Sequence, residues 1–346
     1  MDWRNIERFP PVTTDGWQAR RHGRRHDIVG QVAVEAAVAG YNPLGTLLVA
    51  VPGSERFLPV LNIEELKVGA QKSFKFRCRI NLSLMVISFT LSISLGMISA
   101  DAEILELCYL FLGSAIFIFF DYWMILRHMD ALAERALFNF HIRESGRADL
   151  LLWGGVMLAA GAVQVVGQYV LGGFEPLVMK YGVFYAALSA AECWRVLVGP
   201  FFHASVLHWV SNGVILIFIG MIAGTISRRH SVAVFLLGSA MGAWATGVVA
   251  AGNGYDSYVG VSAGVSALFG LCIAFAWRQP RRFPSKFAVT LIAFSLMEDY
   301  LSWISNPDVS LVAHWTGLGV GIVWGLLLYE WIKYYKAEGV SMGMQH

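Results

Sequence analysis

The sequence predicts an all-α polytopic membrane protein. Of 346 residues, 56% are hydrophobic and only 14% charged, whereas a soluble domain carries about 25% charged residues. The apolar residues gather into eight stretches, 80–99, 105–126, 150–171, 203–226, 231–251, 260–277, 286–304 and 310–332, most near the ~20 residues a helix needs to cross a bilayer. With the N-terminus cytoplasmic, all 26 lysines and arginines except Lys180 and Arg195 fall on the inner side, as the positive-inside rule requires. A water-soluble single domain is excluded. So is a nucleic-acid binder, because the net charge is only +2 and the basic residues form no large face.

The elements follow in order. Residues 1–79 are polar and mixed, a small cytoplasmic N-terminal extension in which Thr46–Val51 reads as a strand and Val60–Leu66 begins a helix. They contain no apolar core of a signal peptide. Residues 80–126 are two additional transmembrane helices. Asp121 in the second is expected at the inner interface, since a carboxylate at mid-membrane costs about 2.5–3.5 kcal/mol. Residues 127–149 read as a charged cytoplasmic linker, 150–334 as a six-helix core and 335–346 as a cytoplasmic tail. The outer segment 172–202 carries Phe174, Tyr181, Trp194 and Phe201, which suits an interfacial hairpin. Cys78, Cys108, Cys193 and Cys272 have no metal-type spacing and predict no disulfide framework.

Polar side chains on spanning helices are functional candidates, and three groups stand out. The fourth span opens with His203, His208 and Asn212. The sixth opens Gly260-Val261-Ser262-Ala263-Gly264. The eighth carries His314 ahead of Gly317 and Gly321. All three spans descend from the outer face. His208 lies on the order of 8 Å down its helix, Ser262 in the first turn and His314 about four residues down, so the three helices present polar groups at one level. His208 and Asn212, four apart, share a helix face, while His203 is about 140° away around the axis.

A hydroxyl, an imidazole and an amide donor at one level suit nucleophilic catalysis. A serine needs a base as it attacks, imidazole titrates near neutrality, and Asn212, His208 and a backbone N–H near Ser262 would serve a developing oxyanion. No acidic residue is expected at that depth, so the expected unit is a Ser–His dyad. The Gly317-x-x-x-Gly321 spacing lets the eighth helix pack closely and brings His314 toward Ser262. Gly-x-Ser-x-Gly also occurs in soluble hydrolases, but there it follows a strand in a sheet, which is not expected here. Two other readings remain open. His203, His208 and His314 offer zinc ligands, although the His-Glu-x-x-His of zinc proteases is absent. A transporter also places polar groups in spanning helices, typically near the midplane.

The six-helix core resembles the rhomboid family of intramembrane serine proteases. Trp194-Arg195 looks like its outer-loop motif, His203-x-x-x-x-His208-x-x-x-Asn212 its second core helix, Gly260-Val261-Ser262-Ala263 with Ala267-Leu268-Phe269-Gly270 its fourth, and His314-x-x-Gly317-x-x-x-Gly321 its sixth. The resemblance, over about 150–334, implies a six-helix rhomboid-like bundle with Ser262 as nucleophile and His314 as general base. It implies an oxyanion hole from His208, Asn212 and the Ser262 N–H, with Trp194 and Arg195 anchoring the outer hairpin in the interface. It also implies transmembrane protein substrates cut near the outer face, a lipid environment, and neither cofactor nor metal. Two positions depart from the family: Ala263 where many members have glycine, and Ser266 where a tyrosine often packs against the histidine. A multi-pass protein of a bacterial inner membrane with both termini cytoplasmic is the expected setting. A non-catalytic rhomboid-like binding protein, chaperone or transporter is the alternative.

Overall fold

The computed structural model describes residues 9–12, 16–21, 28–39, 47–99, 102–185, 190–250, 257–305 and 310–337. It divides into two compact units, 1–144 with 281–287, and 145–280 with 288–346.

The first unit holds more regular structure than its sequence suggests. Strands β1 (Gln18–Arg21), β2 (Ile28–Val29), β3 (Leu47–Ala50) and β4 (Leu58–Pro59) form an antiparallel sheet in the order β2-β1-β3-β4, with Ala19 opposite Val49. The strand expected at Thr46–Val51 is β3, and all four of its residues are buried; Thr46 itself lies outside the described residues. Helix α1 (Gln31–Ala39) adds Val34 and Val38 to the same core, which also takes in Val60, Leu61, Leu66, Phe74, Leu132 and Ala136. The helix expected to begin within Val60–Leu66 starts as a 3-10 turn, Val60–Asn62. It continues as α2 (Glu64–Ser99), with Glu64 and Glu65 in its first turn, where carboxylates oppose the positive end of the helix dipole. One helix therefore runs through the boundary expected at residue 79.

Helix α3 (Ala102–Asp121) follows, then one π-type turn, Tyr122–Leu126. The segment expected as a charged linker is instead largely helical, as α4 (Met129–Ser145). Leu132, Ala136 and Phe140 are buried on it, at the i, i+4, i+8 spacing of one helix face. Glu134 and Arg135 stand between them, with Asp130 before and Arg143 after, and mask that stripe in the composition. Phe138 packs edge-on against Phe283 and Phe287, and Glu134 accepts from the Ser285 backbone N–H and hydroxyl. Asp121, the last residue of α3, accepts a 2.6 Å hydrogen bond from Arg135. A buried carboxylate thus has its counter-ion.

The second unit is helical. It comprises α5 (Arg147–Leu171), α6 (Phe174–Tyr181), α7 (Arg195–Val198), α8 (Val206–Ala250), α9 (Ser262–Arg278), α10 (Phe287–Ser305, whose first residue falls in the first unit) and α11 (Leu311–Ala337). The expected outer hairpin holds α6 and α7, and β5 (Val183–Phe184) pairs antiparallel with β6 (Ser257–Tyr258); residues 186–189 lie outside the described ones. A 45-residue helix would span about 68 Å, twice the ~30 Å of a hydrocarbon core. Accordingly α8 breaks at Ser227, whose φ of −170° and ψ of 118° are extended. Its two arms correspond to the spans expected at 203–226 and 231–251. Beside the break, Asp149 is buried and accepts two hydrogen bonds from Arg228, 2.6 and 3.2 Å.

Among the described residues, Arg147–Leu171, Val206–Val249 and Leu311–Tyr334 are long and apolar enough to cross a membrane. Helix α9 is shorter, and every residue from Ala263 to Ala276 on it is buried. A helix buried all round lies inside a bundle, and α9 packs against both α8 and α11. Cys78, Cys193 and Cys272 are free thiols; the side chain of Cys108 lies outside the described residues.

The Asp149–Arg228 pair predicts unequal losses. Arg228→Ala strands a buried carboxylate and should cost about 3 kcal/mol. Asp149→Ala leaves Arg228, which is 42% exposed, free to be solvated and should cost about 1 kcal/mol. Thermal unfolding of the two variants in detergent measures the difference, and equal losses would show that the pair is not what holds the break.

Candidate active site

The site begins with how closely two helices approach. A Cβ on Gly317 would lie 2.0 Å from the Ala263 carbonyl oxygen, and one on Gly321 would lie 1.9 Å from that of Ala267. Any side chain at either position would collide with main chain, so glycine lets α11 lie directly on α9. Gly264, on another face of α9, meets Phe235 and Ser239 of α8. The start of α11 is fixed as well. The Ser310 hydroxyl accepts from the Ala313 N–H at 3.2 Å, a capping contact, and lies 2.7 Å from the Thr246 hydroxyl of α8. Thr246 already donates to the Gly242 carbonyl, so in this pair the proton comes from Ser310.

These constraints bring His314, in the first turn of α11, to Ser262, the first residue of α9. The imidazole Nε2 and the serine Oγ are 2.8 Å apart. The other ring nitrogen, Nδ1, lies 2.7 Å from Asp299 Oδ1 on α10. Both His314 and Asp299 are buried. The expectation that no carboxylate reaches this depth is therefore corrected. The signal was present in the sequence: Asp299 lies about five residues from the outer end of an ascending span, which is the level of a residue about four down a descending one.

Gly260 turns the chain ahead of Ser262 with a φ of +108°, a conformation costly for any residue with a Cβ. It also leaves room: a Cβ there would lie 2.8 Å from the His208 ring and 4.0 Å from the Asn212 amide nitrogen. His208 and Asn212 thus face the backbone just before Ser262, whose own N–H, in the first helical turn, has no intrahelical acceptor. His203 is buried, with its ring edge-on to His208 at 5.2 Å between centroids. Its main chain is clamped by Gln164, which donates to the His203 carbonyl and accepts from its N–H, both at 2.8 Å.

Arg195 departs from the expectation of an interfacial anchor. It is buried, binds both carboxylate oxygens of Glu192, and donates to the Met179 and Gly182 carbonyls. A guanidinium is a rigid fork of five donors, and here it ties the outer segment to itself. Trp194 lies beside it, 39% exposed, with the Arg195 guanidinium 5.3 Å from its ring centroid.

Residues 190–331 match the Rhomboid domain. This segment is a Rhomboid domain. No curated protein matches the chain. The match starts at residue 190 rather than at the expected 150, so α5 and α6 lie outside it, while every site residue named above except Gln164, Met179 and Gly182 lies within. The apolar helices long enough to cross a membrane make the chain a largely α-helical polytopic membrane protein, and its residues 190–331 are similar to the Rhomboid domain.

Among the described residues of the Rhomboid domain, Glu298, Asp299 and His314 bring three potential metal-ligand atoms within 4.8 Å of one another. Both imidazole nitrogens are already engaged, by Asp299 and by Ser262, which leaves the histidine no free lone pair for a cation.

The glycine contact makes a paired prediction. Gly321→Ala should destabilise the protein by about 1–3 kcal/mol through overpacking and reduce fluorophosphonate labelling of Ser262. Gly319→Ala, on the same helix with open space at its Cβ position, should stay within about 0.5 kcal/mol and label normally. Unfolding curves and labelling of the two variants decide it; identical behaviour would show that the close approach is not required.

Proposed function

We propose that the protein is an intramembrane serine endopeptidase. The observation that carries this reading is the 2.8 Å contact between Ser262 Oγ and His314 Nε2, made by side chains of two separate apolar helices inside a Rhomboid domain. Ser262 attacks the scissile carbonyl while His314 takes its proton, and His314 then returns that proton to the leaving amine. The carbonyl oxygen becomes an anion held by the Ser262 backbone N–H, Asn212 and His208. Water hydrolyses the acyl-enzyme by the same steps in reverse roles.

The substrates are transmembrane proteins cut near the outer face. A helical substrate keeps its carbonyls in hydrogen bonds, so helix-weak residues such as glycine or serine beside the scissile bond favour the local unwinding that attack requires. The polar series from His203 to Asn212 gives water a route from the outer surface. Both termini are cytoplasmic, in a bacterial inner membrane. The six-helix core, 150–334, carries the reaction, and residues 1–79 with the two additional helices anchor and stabilise it.

Reconstituted into lipid vesicles with a transmembrane model substrate, the full chain should cleave it. Ser262→Ala and His314→Ala should each abolish cleavage. Asn212→Ala and His208→Ala should each lower kcat by about 10²–10³-fold, read from initial rates at saturating substrate. Undiminished cleavage by Ser262→Ala would overturn the reading. An inactive, folded wild type that resists fluorophosphonate labelling would favour a non-catalytic binding protein, chaperone or transporter.

A further inference from the structure

We infer that Asp299 is a positioning residue that turns the Ser262–His314 pair into a Ser–His–Asp triad built on three helices. The inference rests on the serine-peptidase reading of the same site. Asp299 Oδ1 lies 2.7 Å from His314 Nδ1, on the side of the imidazole opposite Ser262. An ionised carboxylate only accepts hydrogen bonds, so Nδ1 carries the proton and Nε2 presents its lone pair to the serine hydroxyl. That is the one tautomer in which His314 can act as a base. The opposite tautomer would place a proton toward Ser262 and a lone pair against the carboxylate.

The surroundings make this contact matter. Asp299 and His314 are 5% and 4% exposed, and a carboxylate in a spanning helix is costly unless it is paired. Among the described residues, His314 is the hydrogen-bond partner of Asp299. Its neighbour Glu298 is engaged elsewhere, accepting from the Ser302 hydroxyl at 3.4 Å.

The proton inventory closes. As the bond from Ser262 Oγ to the carbonyl carbon forms, the hydroxyl proton passes to Nε2 and the carbonyl π pair moves to its oxygen. The imidazole is then a cation, and Asp299, still ionised, faces it across the bond to Nδ1–H. The Nε2 proton next goes to the departing amine as the C–N bond breaks. Asp299 neither gains nor loses a proton. Its attraction for His314 is greatest when the imidazole is charged, so it stabilises the transition state more than the resting enzyme.

The test uses the full chain in vesicles. Asp299→Asn keeps the size of the side chain but can donate toward Nδ1, which favours the unproductive tautomer. It should lower kcat by roughly 10³–10⁴-fold with KM within about threefold. Asp299→Glu should recover part of the loss, and Glu298→Gln should stay within about threefold of wild type. Independently of activity, ¹⁵N spectra of histidine-labelled wild type, with His314 assigned by difference against His314→Gln, should show Nδ1 protonated and Nε2 as an acceptor. The inference is overturned if Asp299→Asn turns over within about tenfold of wild type while Ser262→Ala is inactive. It is equally overturned if Glu298→Gln loses as much as Asp299→Asn, since the two carboxylates would then act jointly, as a cation site would require. Should Ser262→Ala remain active, the peptidase reading fails first and the ¹⁵N spectrum alone judges Asp299. The same spectrum judges it if Asp299→Asn does not fold: a wild-type His314 protonated on Nε2 would sink it.

Discussion

The site depends on one contact, the laying of α11 onto α9 with glycine at the touching positions. Gly317 and Gly321 are spaced one turn apart and lie over the carbonyls of Ala263 and Ala267. In lipid the hydrophobic effect does not drive helices together, and close van der Waals approach has to do that work. Ser262 immediately precedes one of these contacts, and His314 lies one turn before the other helix's first glycine. A wider separation would leave the hydroxyl and the imidazole beyond hydrogen-bond range without altering either residue.

The remaining polar groups follow a second rule, that charge and hydrogen-bonding capacity inside an apolar protein must be matched locally. Asp121 has Arg135, Asp149 has Arg228, Arg195 has Glu192 with two carbonyls, and Asp299 has His314. Three of these pairs hold the chain in shape: one at the end of α3, one at the break in α8, one within the outer segment. The fourth touches the serine–histidine pair. The same physical requirement thus serves all four pairs, and what sets the fourth apart is the serine hydroxyl at the other end of its network.

Much of this was legible in the sequence. The apolar runs at 150–171, 203–251 and 310–332 coincide with long apolar helices, and the depth argument gathered His208, Asn212, Ser262 and His314, which the fold brings to one region. What was missed has identifiable causes. Asp299 lies near the C-terminal end of α10, whereas Ser262 and His314 lie in the first turns of α9 and α11, so reading from helix starts alone passes it by. Helix α4 carries its apolar stripe between charged residues, and composition read over the whole segment conceals it. Strands β1, β2 and β4 are two to four residues long, and β1 pairs with β3 across an intervening helix. Neither feature leaves a periodicity long enough to recognise. The partners of Arg195, Glu192 and two backbone carbonyls, depend on a fold of the segment around it that charge alone does not encode.

The continuity of α2 bears on how the first unit behaves. Thirty-six residues run without interruption from Glu64 beside the sheet to Ser99, about 54 Å of helix. Such a shaft has no swivel along its length. The small sheet therefore cannot tumble independently of the far end of the helix it is attached to. Whatever grips, twists or tilts that sheet is transmitted as torque to residues about 50 Å away.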